Sequence, residues 1–465
     1  MSVSAATAAV LGDPFFQRLK ALVIETTGMA FYADKDEDLA RIVAERLTET
    51  GLGVCARYLE LIADVVRGKV EMDALVAELT IGETYFFRHR EQFDALRDII
   101  LPEALVRNEA TRSLRIWSAG CATGPEPYSL AIMLKREFGH RIAGWNVSIL
   151  GTDINQKFLA RARDGRYDEW AFRVTPDAVR RECFDAVGKQ WQIKPEFKDW
   201  VSFQYHNLIR NRFPSLLDNL SAFDVIICRN VVIYFSRETV EALVPCFRES
   251  LVDGGWLVMG HAEPNIELFR DFRTVNTEGA VLYQRVDRPL PSRVAPKVVL
   301  PIPEPPKRSE PRSARSTKPK PAPRPQVAVG PASDGEVAAV RALADQGKWS
   351  EAMAACDRLI AANVLDAVAH FYRALVAEQL GDLEGCETYL KRAIYLDRHF
   401  VLPHYHLGLF LWRRNDPAGA MRSLRNVVAL LRPLPDDFVL AHGDDITAGQ
   451  LRETVGMHLD LIGAA

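Results

Sequence analysis

The stretch from Arg288 to Ser333 constrains this chain most, because it cannot join any packed domain. Thirteen of the 26 prolines fall there, among them Pro301, Pro303, Pro305, Pro306, Pro319, Pro321, Pro323 and Pro325. Proline removes a backbone donor, and too few apolar residues surround it to bury a core, so an extended, polyproline-like linker is expected over 288–333. The stretch carries ten Lys/Arg against Glu304 and Glu310, a net of +8, which leaves −11 on the rest of a chain whose formal net charge is −3. That balance does not indicate a nucleic-acid binder. The composition is that of a solvated spacer, and it permits docking to an acidic or aromatic-grooved partner. The 465 residues therefore divide into regions that must each build their own core.

Beyond the linker a period appears. Gly347-Lys348-Trp349, Gly381-Asp382-Leu383 and Asn415-Asp416-Pro417 recur every 34 residues, and the small residues Ala352, Cys386 and Ala420 follow each at the same offset. Apolar residues flank the turns at helical spacing. A helix–turn–helix unit of this length resembles the tetratricopeptide (TPR) repeat. Residues 334–465 are thus expected to form an all-α domain of about three repeats, closed by a capping helix over Ala448–Ile462.

Residues 12–88 read as a helical N-terminal domain. Phe15, Leu19, Leu22 and Val23 share one face, as do Leu39, Ile42, Val43 and Leu47 of a second helix, for which Asp34 or Asp36 is a candidate cap. Residues 100–287 change character. Apolar runs at Leu114–Trp117, Val147–Leu150, Phe223–Cys228 and Trp256–Met259 alternate with helical patterns at Tyr128–Leu134 and Phe158–Arg163. This alternation predicts a doubly wound, parallel α/β sheet, whose ligands bind beyond the carboxyl ends of the strands. The chain shows no apolar run long enough for a membrane span and no signal-peptide pattern at its start. Its seven cysteines are scattered without a Cys-x-x-Cys pair, and its histidines lack metal spacing. A reduced, cytoplasmic setting without a metal is expected.

The first strand runs into Ser118-Ala-Gly120-Cys-Ala-Thr-Gly124-Pro-Glu126-Pro-Tyr128. Two glycines four apart let backbone amides approach a ligand at a helix N-terminus. The spacing is not the G-x-G-x-x-G of dinucleotide enzymes, which argues against a dehydrogenase, and is nearer the glycine loop of S-adenosylmethionine (SAM) methyltransferases. Asp153 ends the second strand, where a carboxylate suits both hydroxyls of a ribose or, alternatively, caps the next helix. Glu126 gains from the helix dipole and could also attract a cationic ligand. Asn207-Leu208 and Arg229-Asn230 follow later strands, where an adenine edge could be met.

In order along the chain come Thr80-Ile-Gly-Glu-Thr84-Tyr-Phe-Phe-Arg88, Ile116–Tyr128, Gly151-Thr-Asp153-Ile, Asn207-Leu208, Cys228-Arg-Asn-Val-Val-Ile-Tyr-Phe235 and Met259-Gly-His-Ala-Glu263. Over roughly 12–287 this series resembles the chemotaxis receptor methyltransferase family, CheR, and the whole chain resembles its members with appended TPR repeats. The resemblance implies a Rossmann-like SAM methyltransferase core between all-α N-terminal and TPR domains. It also implies methyl-ester formation on glutamates of the cytoplasmic bundle of chemoreceptors. By that resemblance Thr84, Arg88, Gly120, Glu126, Asp153, Asn207, Leu208, Arg229 and Asn230 hold the cofactor, and Arg88 and Tyr234 act at the reacting carboxylate. The TPR repeats are expected to bind a protein partner. Another SAM methyltransferase fits the Thr80–Arg88 and Cys228–Phe235 motifs less well. A non-catalytic scaffold should have lost Arg88, Asp153 or Tyr234.

Three departures from the family stand out. Gly82 occupies a position where many members have Asn, so one side-chain contact to the cofactor is absent. A small inserted subdomain is expected near 168–206, but the stretch holds only Gly188, so tethering to a receptor's tail peptide is doubtful. The second helix begins Asp34-Lys-Asp-Glu-Asp and is acidic, which moves any receptor contact onto Arg41, Arg46 and later residues.

Overall fold

Apolar stripes assemble the N-terminal helices. In the computed structural model, which describes residues 4–64, 67–263, 265, 267–287, 334–443 and 445–463, these are α1 (Ala5–Leu11), α2 (Phe16–Thr27), α3 (Asp36–Glu49), α4 (Cys55–Ile62) and α5 (Arg67–Leu79). The expected linker, 288–333, lies outside the described residues. Leu19 and Val23 of α2 meet Leu39, Ile42, Val43 and Leu47 of α3 in one core. Phe15 does not join them. It precedes the helix and is 40% exposed, while Phe16 takes the buried place, because a helix starting one residue later turns the next residue inward. Leu22 is half-buried at the edge of the stripe. Neither Asp34 nor Asp36 caps α3; Lys35 holds that position, and Asp36 sits in the first turn, 2.7 Å from the Lys20 ammonium.

Arg46 also departs from expectation. Its side chain is buried, donating from Nε and Nη2 to the two oxygens of Glu71 at 2.8 Å each, while the Tyr58 hydroxyl donates to the same carboxylate at 2.6 Å. It is a strut between α3 and α5 and cannot serve as a surface cation. Arg41 stays exposed, paired with Glu45 at 3.0 Å.

Next come α6 (Arg90–Ala95) and α7 (Leu101–Arg107), then β1 (Ser113–Ala119), α8 (Pro125–Phe138), β2 (Asn146–Asp153), α9 (Gln156–Asp164), β3 (Arg166–Tyr167), α10 (Asp177–Cys183), β4 (Phe184–Val187), β5 (Gln190–Ile193) and β6 (Val201–Tyr205). After them run β7 (Phe223–Cys228), α11 (Arg237–Ser250), β8 (Leu251–Met259), β9 (Arg273–Thr277) and β10 (Ala280–Gln284). The large sheet has the order β6-β2-β1-β7-β8-β10-β9. Its first five strands are parallel, and β10 and β9 close it as an antiparallel edge, so the sheet is mixed and not wholly parallel. β7 is buried along its whole length, which is why it reads as one apolar run. The chain reverses direction across the sheet between β1 and β7, and this places a crevice outside their carboxyl ends. The small antiparallel sheet β3-β5-β4 has β4 and β5 within 168–206 but begins earlier, with β3 at Arg166–Tyr167, and Gly188, at φ +63°, turns the β4–β5 hairpin.

The C-terminal helices pair as α12 (Asp334–Asp345) with α13 (Trp349–Ala362), α14 (Ala367–Gln379) with α15 (Leu383–Leu396), and α16 (Val401–Arg413) with α17 (Pro417–Leu431), before α18 (Ala448–Gly463). The 34-residue period survives in the hydrogen bonds. Asp382 and Asp416 each accept from the amide three residues on, at 2.9 and 2.8 Å. His370 and His404 each meet the carbonyl six residues back, at 3.0 and 3.1 Å. Gly347, Gly381 and Asn415 all adopt positive φ at the turns, and Asn tolerates that region better than other side chains. Among the described residues no helix is long and apolar enough to cross a membrane.

The Arg46–Glu71 strut yields a stability prediction. Glu71→Ala leaves the buried Arg46 guanidinium with only the exposed Glu49 as ion-pair partner and should lower unfolding free energy by about 3 kcal/mol in urea titration.

Candidate functional site

Two joined hollows open at the carboxyl ends of β1, β2 and β7. The first is largely apolar, walled by Met29, Phe31 and Tyr32 of the helical bundle, Phe158 of α9, and Leu208. The second is polar, lined by Glu83, Thr84, Arg88, Glu126 and Arg229. Ile81, Gly120, Ala122, Asn230 and Tyr234 belong to both and form their shared wall. The structure therefore brings all the sequence-predicted site residues to one crevice: Asp153, Asn207 and Leu208 at the apolar end, Thr84, Arg88, Glu126 and Arg229 at the polar end, and Gly120, Asn230 and Tyr234 between.

Each is placed for a local reason. Gly120 turns out of β1 at φ +78°, and a Cβ there would stand 2.3 Å from Val231 Cγ2, so only glycine lets the chain pass. Asp153 ends β2 and accepts from the amides of Asn155 at 2.8 Å and Ala122 at 2.9 Å, tying the first two strand-end loops together. Asn155, not Asp153, is the N-cap of α9. Burial pushes the Asp153 carboxyl up to about 6, against the lowering effect of the backbone amides around it. Asn207 accepts from the Ile209 amide and donates to the Thr26 carbonyl, so the N-terminal bundle helps to fix it.

Glu126 and Arg229 form a buried pair, Oε2 to Nε at 2.6 Å, and Ser118 donates to the other carboxylate oxygen at 2.6 Å. Arg229 also donates to the Arg88 carbonyl and to Gln92. Arg88 differs. Its Nη1 donates to the Glu83 carbonyl at 2.8 Å, its buried Nε has no acceptor, and among the described residues it makes no ion pair. It is not the partner of Glu91 or Glu126. Tyr234 stands in the wall, with its ring edge-on to Phe31 at 5.7 Å, and is not part of a closed core. Burial raises its phenol, and the Arg88 charge pulls the other way.

Several contributors were not legible beforehand. A side chain at Gly82 would strike the Phe158 ring at 2.4 Å, so that ring fills the space an asparagine would occupy. Phe158 reads in sequence only as a helical residue. Glu263 accepts from the amides of Asn230 and Val231 at 3.1 and 3.0 Å, and also from Ile233. One carboxylate thereby shapes the loop bearing Asn230 and Tyr234, and its place in the Met259–Glu263 motif is the only sequence signal for it. Residues 83–88 are pinned to the small sheet. Phe86 packs among Phe172, Phe184 and Tyr167, its amide donates to the Ala171 carbonyl, and the Arg173 guanidinium lies between the rings of Tyr85 and Trp170.

Comparison with known proteins agrees with this geometry. Residues 82–281 match the family described as CheR methyltransferase, SAM binding domain. A probable chemotaxis protein methyltransferase of Rhizobium etli is 36% identical over 236 residues, covering 49% of this chain and 85% of its own length. Chemotaxis protein methyltransferase 1 of Pseudomonas aeruginosa is 30% identical over 276 residues, 58% of this chain and 97% of its own. The probable biofilm formation methyltransferase WspC of Pseudomonas aeruginosa is 29% identical over 364 residues, 76% of this chain and 84% of its own.

Glu263→Ala removes the acceptor from the loop amides and should cost about 1–3 kcal/mol in denaturant unfolding, with Glu263→Gln intermediate because one acceptor remains.

Proposed function

The chain belongs to the CheR family of chemotaxis protein methyltransferases, and from that premise we propose that it esterifies glutamate side chains on the cytoplasmic region of chemoreceptors. The cofactor of the family's domain is SAM. The donor set fits it. The apolar hollow suits a planar base, and Asp153 suits a ribose diol. Gly120 lets the backbone come close, and the buried Asn230 Oδ1, which has no partner among the described residues, awaits a donor. Glu126 and Thr84 at the polar end take the amino-acid portion. When bound, SAM supplies a methyl on a positively charged sulfur, and the sulfur keeps the bonding pair as a carboxylate oxygen takes the methyl.

One observation carries the choice of substrate group. Arg229 is neutralised by Glu126, whereas Arg88 lines the same hollow with a guanidinium free of ion pairs among the described residues. An incoming carboxylate therefore meets one uncompensated cation. Arg88 orients it, and a guanidinium suits a bidentate grip. The Tyr234 hydroxyl donates one further hydrogen bond that aims the reacting oxygen. A glutamate with an ordinary pKa near 4.3 is already ionised at neutral pH, so no general base is required and positioning supplies the rate. Ile81 and Ile233, 60% and 46% exposed, flank the mouth and shed water when a receptor helix covers it.

The likeness to WspC covers more of the chain than its methyltransferase region. It supports placing this enzyme in a chemotaxis-like system concerned with biofilm formation, with the TPR repeats engaging protein. With Gly188 alone in the small sheet's hairpin, recognition is proposed to be independent of a receptor tail peptide.

Radiolabelled SAM with candidate receptors should leave a base-labile label on receptor. Arg88→Ala and Tyr234→Phe should reduce label at least tenfold while changing S-adenosylhomocysteine affinity by less than about threefold, and an equal loss of both would remove Arg88 and Tyr234 from the chemistry. The raised Asp153 carboxyl gives a pH prediction. Its folded pKa of about 6 lies above the ordinary 3.8, so the folded protein holds this proton more tightly than the unfolded chain, and the unliganded protein loses stability as pH rises from about 4 to about 6. Ribose hydroxyls prefer the ionised form. S-adenosylhomocysteine affinity in calorimetry should therefore rise by up to about tenfold per unit as pH climbs to about 6 and then level, and Asp153→Asn should flatten the profile.

A further inference from the structure

The segment following β6 serves two places at once. Its first residues, His206, Asn207 and Leu208, line the cofactor hollow. The loop then continues as one hydrogen-bonded body. The Asn207 amide donates to Asn211 Oδ1 at 2.9 Å, Phe213 packs edge-on to His206 and Trp117, and Ser215 pairs with Leu220. At its far end Leu216 and Ala222 are buried in the same cluster as Val340 of α12, Leu375 of α14 and Leu402 and Tyr405 of α16, the first helices of the three C-terminal pairs. A Cβ at Gly347 would stand 3.3 Å from Ala222 Cβ and 2.8 Å from Val252 Cγ1, so the α12–α13 turn lies directly on the methyltransferase domain.

A polar clamp locks this contact. Arg115, on β1, is 6% exposed and lacks a carboxylate partner within ion-pair distance among the described residues. Its Nη1 donates to the side-chain oxygen of Gln379 at the end of α14, and its Nη2 donates to Oδ1 and the carbonyl of Asn219, at 2.8 and 3.1 Å. Asn219 sits at φ +61°, which aims both oxygens at the guanidinium. The Gln379 carbonyl accepts from Asn146 Nδ2 at 3.2 Å. At the other end of the array, Glu453 of α18 lies 3.7 Å from Lys69, whose ammonium covers the ring of Tyr205, the residue before the cofactor loop. A buried cation held by neutral acceptors is costly to disturb, because losing one acceptor leaves its donors unmade.

We infer that the helical repeats take this chain's own segment 212–222 as their ligand, and that by holding it they set how tightly the 206–211 loop closes on SAM. Gln379 is a positioning residue for cofactor binding, acting through Arg115 and Asn219 from the base of the sheet. A protein partner that competes for this face would loosen the cofactor, and one that uses the outer helices would leave it unchanged.

Gln379→Ala in the full chain should weaken S-adenosylhomocysteine by roughly 3–10-fold in calorimetry, the range that coupling through packed elements produces. Gln379→Glu, which keeps an acceptor on Arg115, should retain parental affinity, and so should Tyr395→Ala, a residue of α15 that is 79% exposed. Linkage is reciprocal, so S-adenosylhomocysteine should slow hydrogen exchange in α14 and α16 as well as in 206–222. Equal affinity of Gln379→Ala and parent, or exchange in α14 and α16 indifferent to ligand, overturns the inference. Both readouts use the cofactor product alone, so a failure to find the methylated receptor does not affect them.

Discussion

The buried pair between Glu126 and Arg229 organises the catalytic crevice. Its guanidinium joins α8, the loop after β7, and the stretch from the Arg88 carbonyl to Gln92 of α6, so three separate segments meet at one charge. Two ions taken out of water are costly unless further hydrogen bonds support them, and Ser118, the Arg88 carbonyl and Gln92 supply such bonds here. The consequence is functional as well as structural. With Arg229 compensated, the polar hollow presents a single uncompensated cation, Arg88, among the described residues. The proposed selectivity for an anionic side chain rests on that imbalance.

Much of this arrangement was legible in sequence, for a physical reason. Strands covered on both faces become continuous apolar runs, and the functional residues of such a sheet sit where those runs stop, so Gly120, Asp153 and Asn230 could be read from position alone. The helical repeat was legible because its turns require positive φ, and Gly347, Gly381 and Asn415 mark them. What escaped was partnership across long separations. Arg46 looks like a surface cation until Glu71, on another helix, is seen beside it. Phe158 looks like a generic helix residue until it occupies the space over Gly82. The helix face of Phe15 and Phe16 turned on one residue of register, which an amphipathic pattern does not resolve at a helix start.

The absence of a side chain at Gly82 shows how the pocket absorbs a change. An asparagine there would add a polar contact, but the glycine admits an aromatic ring from α9 into the cofactor wall. A polar contact is exchanged for apolar wall, and contributions of these two kinds are in general of similar size. The motif position can therefore vary while the site keeps its shape.

The two ends of the sheet divide the work. The carboxyl ends of β1, β2 and β7 carry the crevice proposed for the cofactor, whose polar hollow Ile81 and Ile233 help to line. The helical repeats attach to Arg115, Asn146, Ala222 and Val252, all at or near the amino ends of the strands or their approach. A helical module placed at the mouth would obstruct the proposed approach of a receptor glutamate. Placed at the base, it leaves that entrance clear, and the segment from His206 to Ala222 is the covalent path that runs from one end of the sheet to the other. A stiff segment transmits displacement only if both of its ends are held. Here Asn207 is fixed by the helical bundle, and Asn219 is fixed by Arg115 and, through it, by Gln379.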